Sequence, residues 1–226
     1  CEAGRFTTRK SSTGCIACPI GTYLSNGAPP NLPPDKTYHD ELEDCFDCQV
    51  GYISREDRSL CDPCQKGYEW SDDHLSCSRC VPGYFSSEAG TLACTACAVG
   101  RYTPTNTSSS CTSCATPRTT NGEGAVSCLS CINTYYLAST VEGRKGIGTW
   151  GFDGVEYEHC VKDDQGHGNA CCQCPEGATC PTSSSVETII TNRRYYRHDR
   201  ATAQVQLCPF KQACVGGNIT RSPCSE

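Results

Sequence analysis

Large apolar side chains are scarce in this chain. It has no methionine, two tryptophans and five phenylalanines, and the 37% of residues counted as hydrophobic includes its cysteines. One sizeable hydrophobic core is therefore not expected. No run of 18 apolar residues occurs, so nothing in the sequence has the length and hydropathy of a membrane-spanning helix. Positive charge is also short. Nineteen Lys and Arg against 25 Asp and Glu leave a net charge of −6, which argues against nucleic acid as the main partner. Methionine and a signal-like leader are both missing. The chain opens on CEAGRF, the second half of a cysteine pair, and Cys224 stands near its last residue. These ends read as a mature, truncated or partial piece of a longer secreted protein.

What the chain has is cysteine, 23 residues in 226, the mark of a disulfide scaffold. Six C-x2-C pairs stand in a row: Cys45/Cys48, Cys61/Cys64, Cys77/Cys80, Cys94/Cys97, Cys111/Cys114 and Cys128/Cys131. The steps between them are 16, 16, 17, 17 and 17 residues, which marks a repeat array. Most pairs are followed by one phrase, a glycine three residues on and then an aromatic: CQVGY at 48–52, CQKGY at 64–68, CVPGYF at 80–85, CAVGRY at 97–102. Glycine takes positive φ without penalty and so allows a tight turn after the cysteine. The aromatic can then cover a disulfide as a miniature core. Repeats this small need such staples. Two short strands per repeat and little or no helix are expected.

The array begins before Cys45, with Cys1, Cys15 and Cys18. The 30-residue step from Cys15 to Cys45 carries a Pro-rich, acidic insertion at about residues 25–44, expected to be a surface loop. After Cys114 the glycine of the phrase is lost, and after Cys131 Thr134 takes its place. From Cys131 the rhythm stops. Residues 1–131 are therefore read as tandem cysteine-rich repeats and 132–226 as a C-terminal cysteine-rich β domain. In the latter, Asp153-Gly154 between apolar flanks predicts a hairpin, and Val186–Tyr196 and Ala203–Leu207 predict strands.

Paired C-x2-C motifs also build zinc sites. Here the pairs run on without setting a four-ligand group apart, and the five histidines show no ligand spacing, so disulfides are expected and no metal. The simplest connectivity joins the second cysteine of one pair to the first of the next: Cys1–Cys15, Cys18–Cys45, Cys48–Cys61, Cys64–Cys77, Cys80–Cys94, Cys97–Cys111 and Cys114–Cys128. Each short loop closed in this way contributes about 3 kcal/mol in the chain-entropy account. An interlaced scheme, Cys45–Cys61 with Cys48–Cys64, stays open. The odd total leaves at least one cysteine without a partner in the chain, for a lost segment or another chain.

The C-x2-C-x2-G-x-[FY] phrase at steps of 16 or 17 resembles the ephrin-receptor-like and TNF-receptor-like cysteine-rich repeats of extracellular proteins, over residues 1 to about 137. The resemblance implies small disulfide-rich modules in tandem, an elongated rod with sequential bridges. The tail, CPEGATCP at 174–181, RRYYR at 193–197 and CPFKQACVGG at 208–217, is similar to a segment of large surface proteins of algae and other protists. That likeness implies a cell coat or an appendage such as a flagellar hair.

No catalytic constellation is present. GRKGIG at 143–148 lacks the strand-to-helix context of a phosphate loop, and Asp163-Asp164 with His167 reads as a solvated loop. The candidate interface is the basic stretch Arg193, Arg194, Arg197 and Arg200 with Tyr195 and Tyr196. It could dock an acidic partner or simply form an exposed charged strand. Asp35, Asp40, Glu41, Glu43 and Asp44 of the insertion are its complement, and they lack the spacing of a calcium loop. Asn106 and Asn218 stand in N-glycosylation sequons, so N-linked glycans are expected and no other cofactor. The sequence thus reads as a non-enzymatic extracellular structural protein, a glycosylated subunit that joins copies of itself end to end. The alternative is a ligand-binding or adhesion ectodomain of a surface receptor.

Overall fold

The computed structural model describes residues 1–8, 14–26, 40–71, 73, 75–139, 160–162, 169–197, 200, 203–210 and 214–217. One small module recurs along it. A cysteine opens a tight turn, a strand of two or three residues follows, and after a loop a return strand ends beside the next cysteine. The turn is closed by the N–H after the glycine, which donates to the carbonyl after the cysteine: Tyr52 to Gln49 at 2.9 Å, Tyr68 to Gln65 at 3.0 Å, Tyr84 to Val81 at 3.0 Å and Arg101 to Ala98 at 2.9 Å. The third place of the turn is left-handed, with φ between 80° and 88° at Gly51, Gly67, Gly83 and Gly100. This is the pattern of a type II turn, which asks for glycine there. The strands that follow pair antiparallel with their return strands: Tyr52–Ser54 with Cys61–Pro63, Tyr68–Trp70 with Cys77–Arg79, Tyr84–Phe85 with Thr95–Ala96, and Arg101–Tyr102 with Thr112–Ser113.

Successive modules are joined through the turn. The glycine carbonyl accepts the N–H of the next opening cysteine, as in Cys64 to Gly51 at 3.0 Å and Cys80 to Gly67 at 2.9 Å. The glycine N–H donates to the residue six places beyond that cysteine, as in Gly67 to Ser86 O and Gly83 to Thr103 O, both 2.9 Å. Gly21 and Gly100 instead find the hydroxyls of Ser54 and Thr120 at the same place, each at 3.0 Å. Gly67 is constrained further. A Cβ there would lie 2.2 Å from the carbonyl oxygen of Thr107, in the loop two modules on. Glycine is required both by its φ and by that approach.

The disulfides run Cys1–Cys15, Cys18–Cys45, Cys48–Cys61, Cys64–Cys77, Cys80–Cys94, Cys97–Cys111 and Cys114–Cys128. Then follow Cys131–Cys171, Cys160–Cys172, Cys174–Cys180 and Cys208–Cys214. Cys224 lies outside the described residues. The opening cysteines Cys18, Cys64, Cys80, Cys97 and Cys131 are fully buried, so sulfur takes the place of a conventional core.

Two compact units divide the chain. One comprises Cys1–Cys97 with Thr103–Cys111, the other Ala98–Tyr102 with Thr112–Glu226. The first holds a small cluster of Phe6, Cys18 and Leu24. The second holds a larger one, Tyr136, Ala138, Ala170, Cys172, Cys180, Val186 and Ile189. It is built on a three-stranded antiparallel sheet, Tyr135–Ser139 and Cys160–Lys162 on either side of Asn169–Gln173. Alternation places Ala170 and Cys172 toward this cluster, while Cys171 bridges to Cys131.

The even spacing ends at Cys131, but the hydrogen-bonded module continues. Thr134 holds φ 72° in the glycine place, and Arg194 holds φ 78°. Cys174 donates to Thr134 O and Cys208 to Arg194 O, both at 2.8 Å, while at Gly177 O the donor is Asn192, one residue past the cysteine place, at 2.8 Å. Thr134 N–H reaches Cys180 O at 3.0 Å, and Arg194 N–H reaches Cys214 O at 2.9 Å, again six places beyond the opening cysteine. Thr191 stands where the module of Arg194 would have its cysteine.

This turn corrects the expected strand over Val186–Tyr196. Val186–Thr188 is a 3-10 turn, closed by Thr188 N–H to Ser185 O at 3.0 Å, and only Ile190–Thr191 and Tyr195–Tyr196 are extended. Within Ala203–Leu207 the strand is Gln206–Leu207, paired with Tyr195–Tyr196. The expected hairpin at Asp153-Gly154 lies outside the described residues. Helix among the described residues is limited to Val186–Thr188 and Leu42–Asp44, both 3-10.

Candidate interface

The basic stretch follows the last of these turns, and the fold separates its members. Arg197 is 3% exposed. Its Nη1 donates to Ile189 O at 2.9 Å, and its Nη2 donates to Val186 O at 2.8 Å and Arg200 O at 2.6 Å. The guanidinium thus ties the 3-10 turn to the strands after it. Arg197 is removed from the interface: a cation surrounded by main-chain carbonyls is a structural clamp. Arg193, Arg194 and Arg200 are exposed. Tyr195 and Tyr196 are half-buried. The Tyr195 ring covers Gly177, where a Cβ would lie 2.2 Å from it, and Tyr196 Oη donates to Gln206 Oε1 at 2.8 Å.

The acidic segment divides in the same way. Asp44 is 2% exposed, and its Oδ2 accepts the N–H groups of Asp40 at 3.1 Å and Glu41 at 3.3 Å. It closes the turn ahead of Cys45 and offers no surface charge, which corrects its assignment to the interface. Glu41 and Glu43 are exposed, and Asp40 is half-buried. Asp35, Asp163, Asp164, His167, Asn218 and the GRKGIG segment lie outside the described residues. Asn106 lies on an exposed loop.

Two features escaped the sequence reading. Arg118 is buried, with Nη2 donating to Asn169 O at 2.6 Å and Nη1 to Cys128 O at 3.3 Å. The phrase carries no signal for it, since Arg5 and Arg101 hold the same place and are exposed. The other is an exposed pair, in which Arg55 Nε donates to Asp62 Oδ2 at 2.9 Å and Nη2 to Asp62 Oδ1 at 2.8 Å. This hydrogen bonding holds the Asp62 carboxyl below its ordinary range and lifts Arg55 above its own. Asp57 is lowered as well, by the N–H and hydroxyl of Ser59.

A cleft of about 400 Å³ in the second unit is lined by Tyr136, Cys160, Cys172, Cys174, Glu176 and Ala203. Its sulfurs are all in disulfides, and Tyr136 and Glu176 are the ionisable side chains among its described lining residues. No cluster of His, Cys, Asp or Glu suited to a metal ion occurs among the described residues. Nor is any helix among them long and apolar enough to cross a membrane.

The chain is similar to a family described as tyrosine-protein kinase ephrin type A/B receptor-like, which matches it twice, over residues 67–114 and 83–131. Each match runs from a turn glycine, Gly67 or Gly83, to the second cysteine of the third pair beyond it. The family is a receptor-like cysteine-rich module and not a catalytic domain. No curated protein matches the chain. The matched stretch, its tandem disulfides and its short strand pairs agree: the chain carries ephrin-receptor-like cysteine-rich repeats.

Proposed function

We propose that this chain is an extracellular structural protein, a subunit that joins copies of itself end to end in a filament, cell coat or appendage. The observation that carries the reading is the module itself. Its framework is main-chain hydrogen bonds and disulfides repeated from one turn to the next, a construction that presents surface and, among the described residues, groups no metal-ligating cluster. Eleven disulfides among the described residues suit the chain to an oxidising compartment. The contact between copies is assigned to exposed charges of opposite sign, Arg193 and Arg194 on one copy and Glu41 and Glu43 on the next.

Light scattering with electron microscopy of the unreduced protein tests the reading. Regular polymers are the expected result, and the Arg193→Glu/Arg194→Glu double variant should lose them at physiological salt while keeping its disulfides. A variant that assembles as well as the parent would remove this contact. The second reading, a ligand-binding or adhesion ectodomain, is favoured by the receptor-like family match. A protein that stays monomeric at every concentration would support it.

A further inference from the structure

The loops of three modules hold a polar residue at the same place, nine beyond the opening cysteine: Asp57, Asp73 and Asn106. Two of them fold back. Asp57 Oδ1 accepts the N–H and hydroxyl of Ser59 at 3.0 and 2.8 Å, and Asp73 Oδ1 accepts the N–H groups of Leu75 and Ser76 at 2.9 and 3.1 Å. Asn106 does not. Its loop is closed by Ser108, whose hydroxyl meets Thr103 Oγ1 at 2.5 Å and donates to Thr105 O at 2.9 Å. The carboxamide of Asn106 makes no hydrogen bond among the described residues, and the residue is exposed.

The main chain beside it faces inward. Thr107 N–H donates to Cys80 O at 3.0 Å, Ser108 O accepts from Ser86 N–H at 3.1 Å, and Thr107 O sits over Gly67. The backbone is thus held on both sides of an asparagine whose side chain is left to solvent. Asn106-Thr107-Ser108 is also an N-x-[ST] acceptor sequence.

We propose that Asn106 carries an N-linked oligosaccharide. The reaction joins Asn106 Nδ2 to the anomeric carbon of a lipid-linked oligosaccharide. The bond from that carbon to the lipid pyrophosphate breaks, and the amide gives up one proton. The assignment rests on the extracellular reading, since the donor is met on the secretory route. The fold accommodates the sugar without rearrangement, because no described residue depends on the carboxamide.

The test is secretion of the full chain from eukaryotic cells behind a leader, which supplies the compartment whatever the native destination. A peptide N-glycosidase, which hydrolyses the bond between the side-chain carbonyl and the glycosylated nitrogen, should shift its mobility and leave aspartate at position 106 in the peptide map. Asn106→Gln should lose that step and keep the parent's disulfide map and thermal midpoint. Ser108→Thr should keep the glycan. An unmodified Asn106 in disulfide-mapped secreted protein, from cells that glycosylate a control, would overturn the site without touching the extracellular reading. A folding defect in Asn106→Gln would overturn the claim that the carboxamide is unengaged.

Discussion

The regular modules up to Cys131 and the segment beyond it use one backbone unit and hold it by different means. In the regular modules the opening cysteine is held by a disulfide and the turn by glycine, except after Cys114, where Pro117 stands in the glycine place. Beyond Cys131, Thr134 and Arg194 take the glycine place with φ of 72° and 78°. In the module of Arg194 the cysteine itself is replaced. Thr191 is buried there, its hydroxyl donating to Gly217 O at 2.8 Å while the two main chains exchange hydrogen bonds at 2.7 and 3.1 Å. Arg197, six places on, clamps three carbonyls. The module is thus a hydrogen-bonding scheme, and the staple is interchangeable provided the buried carbonyls are satisfied.

The comparison breaks most sharply at the turn. Gly67→Ala should cost more than about 3 kcal/mol, from the left-handed backbone and the collision with Thr107 O. Thr134→Gly, at the same place in the later module, should cost nothing and gain up to about 1 kcal/mol. Amide hydrogen exchange at the two turns checks both, and equal losses would mean that the turns are not equivalent.

The staples come next. Replacing Cys48 and Cys61 by serine should cost about 3 kcal/mol, and Arg197→Gln should cost a similar amount, about 2–4 kcal/mol, by stranding buried carbonyls. Denaturant unfolding of the two variants reads this, and a neutral Arg197→Gln would sink the equivalence of clamp and disulfide. Thr191→Ala is smaller, about 1 kcal/mol for one hydroxyl, seen as faster exchange of the Gly217 amide.

The smallest effect belongs to Asp62. Its carboxyl titrates lower in the folded chain than in the unfolded one, so its contribution is present above the ordinary carboxylate range and is lost as pH falls through the lowered value. The thermal midpoints of parent and Asp62→Asn should therefore differ slightly at neutral pH and converge in acid. A gap that widened in acid would show that another group is responsible.

The sequence showed the module where glycine and cysteine mark it, because left-handed turns and buried sulfur leave a strict residue signature. Sequential pairing could be written from spacing, although spacing did not exclude the interlaced scheme. Thr134 could still be set in the glycine place, because Cys131 and Tyr135 flank it, but past it the module was hidden. Backbone hydrogen bonds carry no residue identity, and Thr191 and Arg194 keep the geometry without the letters. Gly177 in CPEGAT kept the cysteine and glycine but lost the aromatic. The interface was half legible. Arg193 and Arg194 are exposed as a basic run suggests, but nothing in the run distinguishes Arg197, whose partners are main-chain carbonyls at 189, 186 and 200. Asp44 escaped notice for the same reason, since its partners are amides.

The carbonyl over Gly67 also sets an order of events. Thr107 is made forty residues after Gly67, and Gly4 waits still longer for Asp57, whose carbonyl would lie 1.8 Å from a Cβ there. A module leaving the ribosome is therefore finished only when the second module behind it has arrived. The chain closes like a plait, each strand locked by one laid down later. Stopping synthesis after Cys97 should leave the last disulfides formed but the turn at Gly67 open, so that damage appears upstream of the cut.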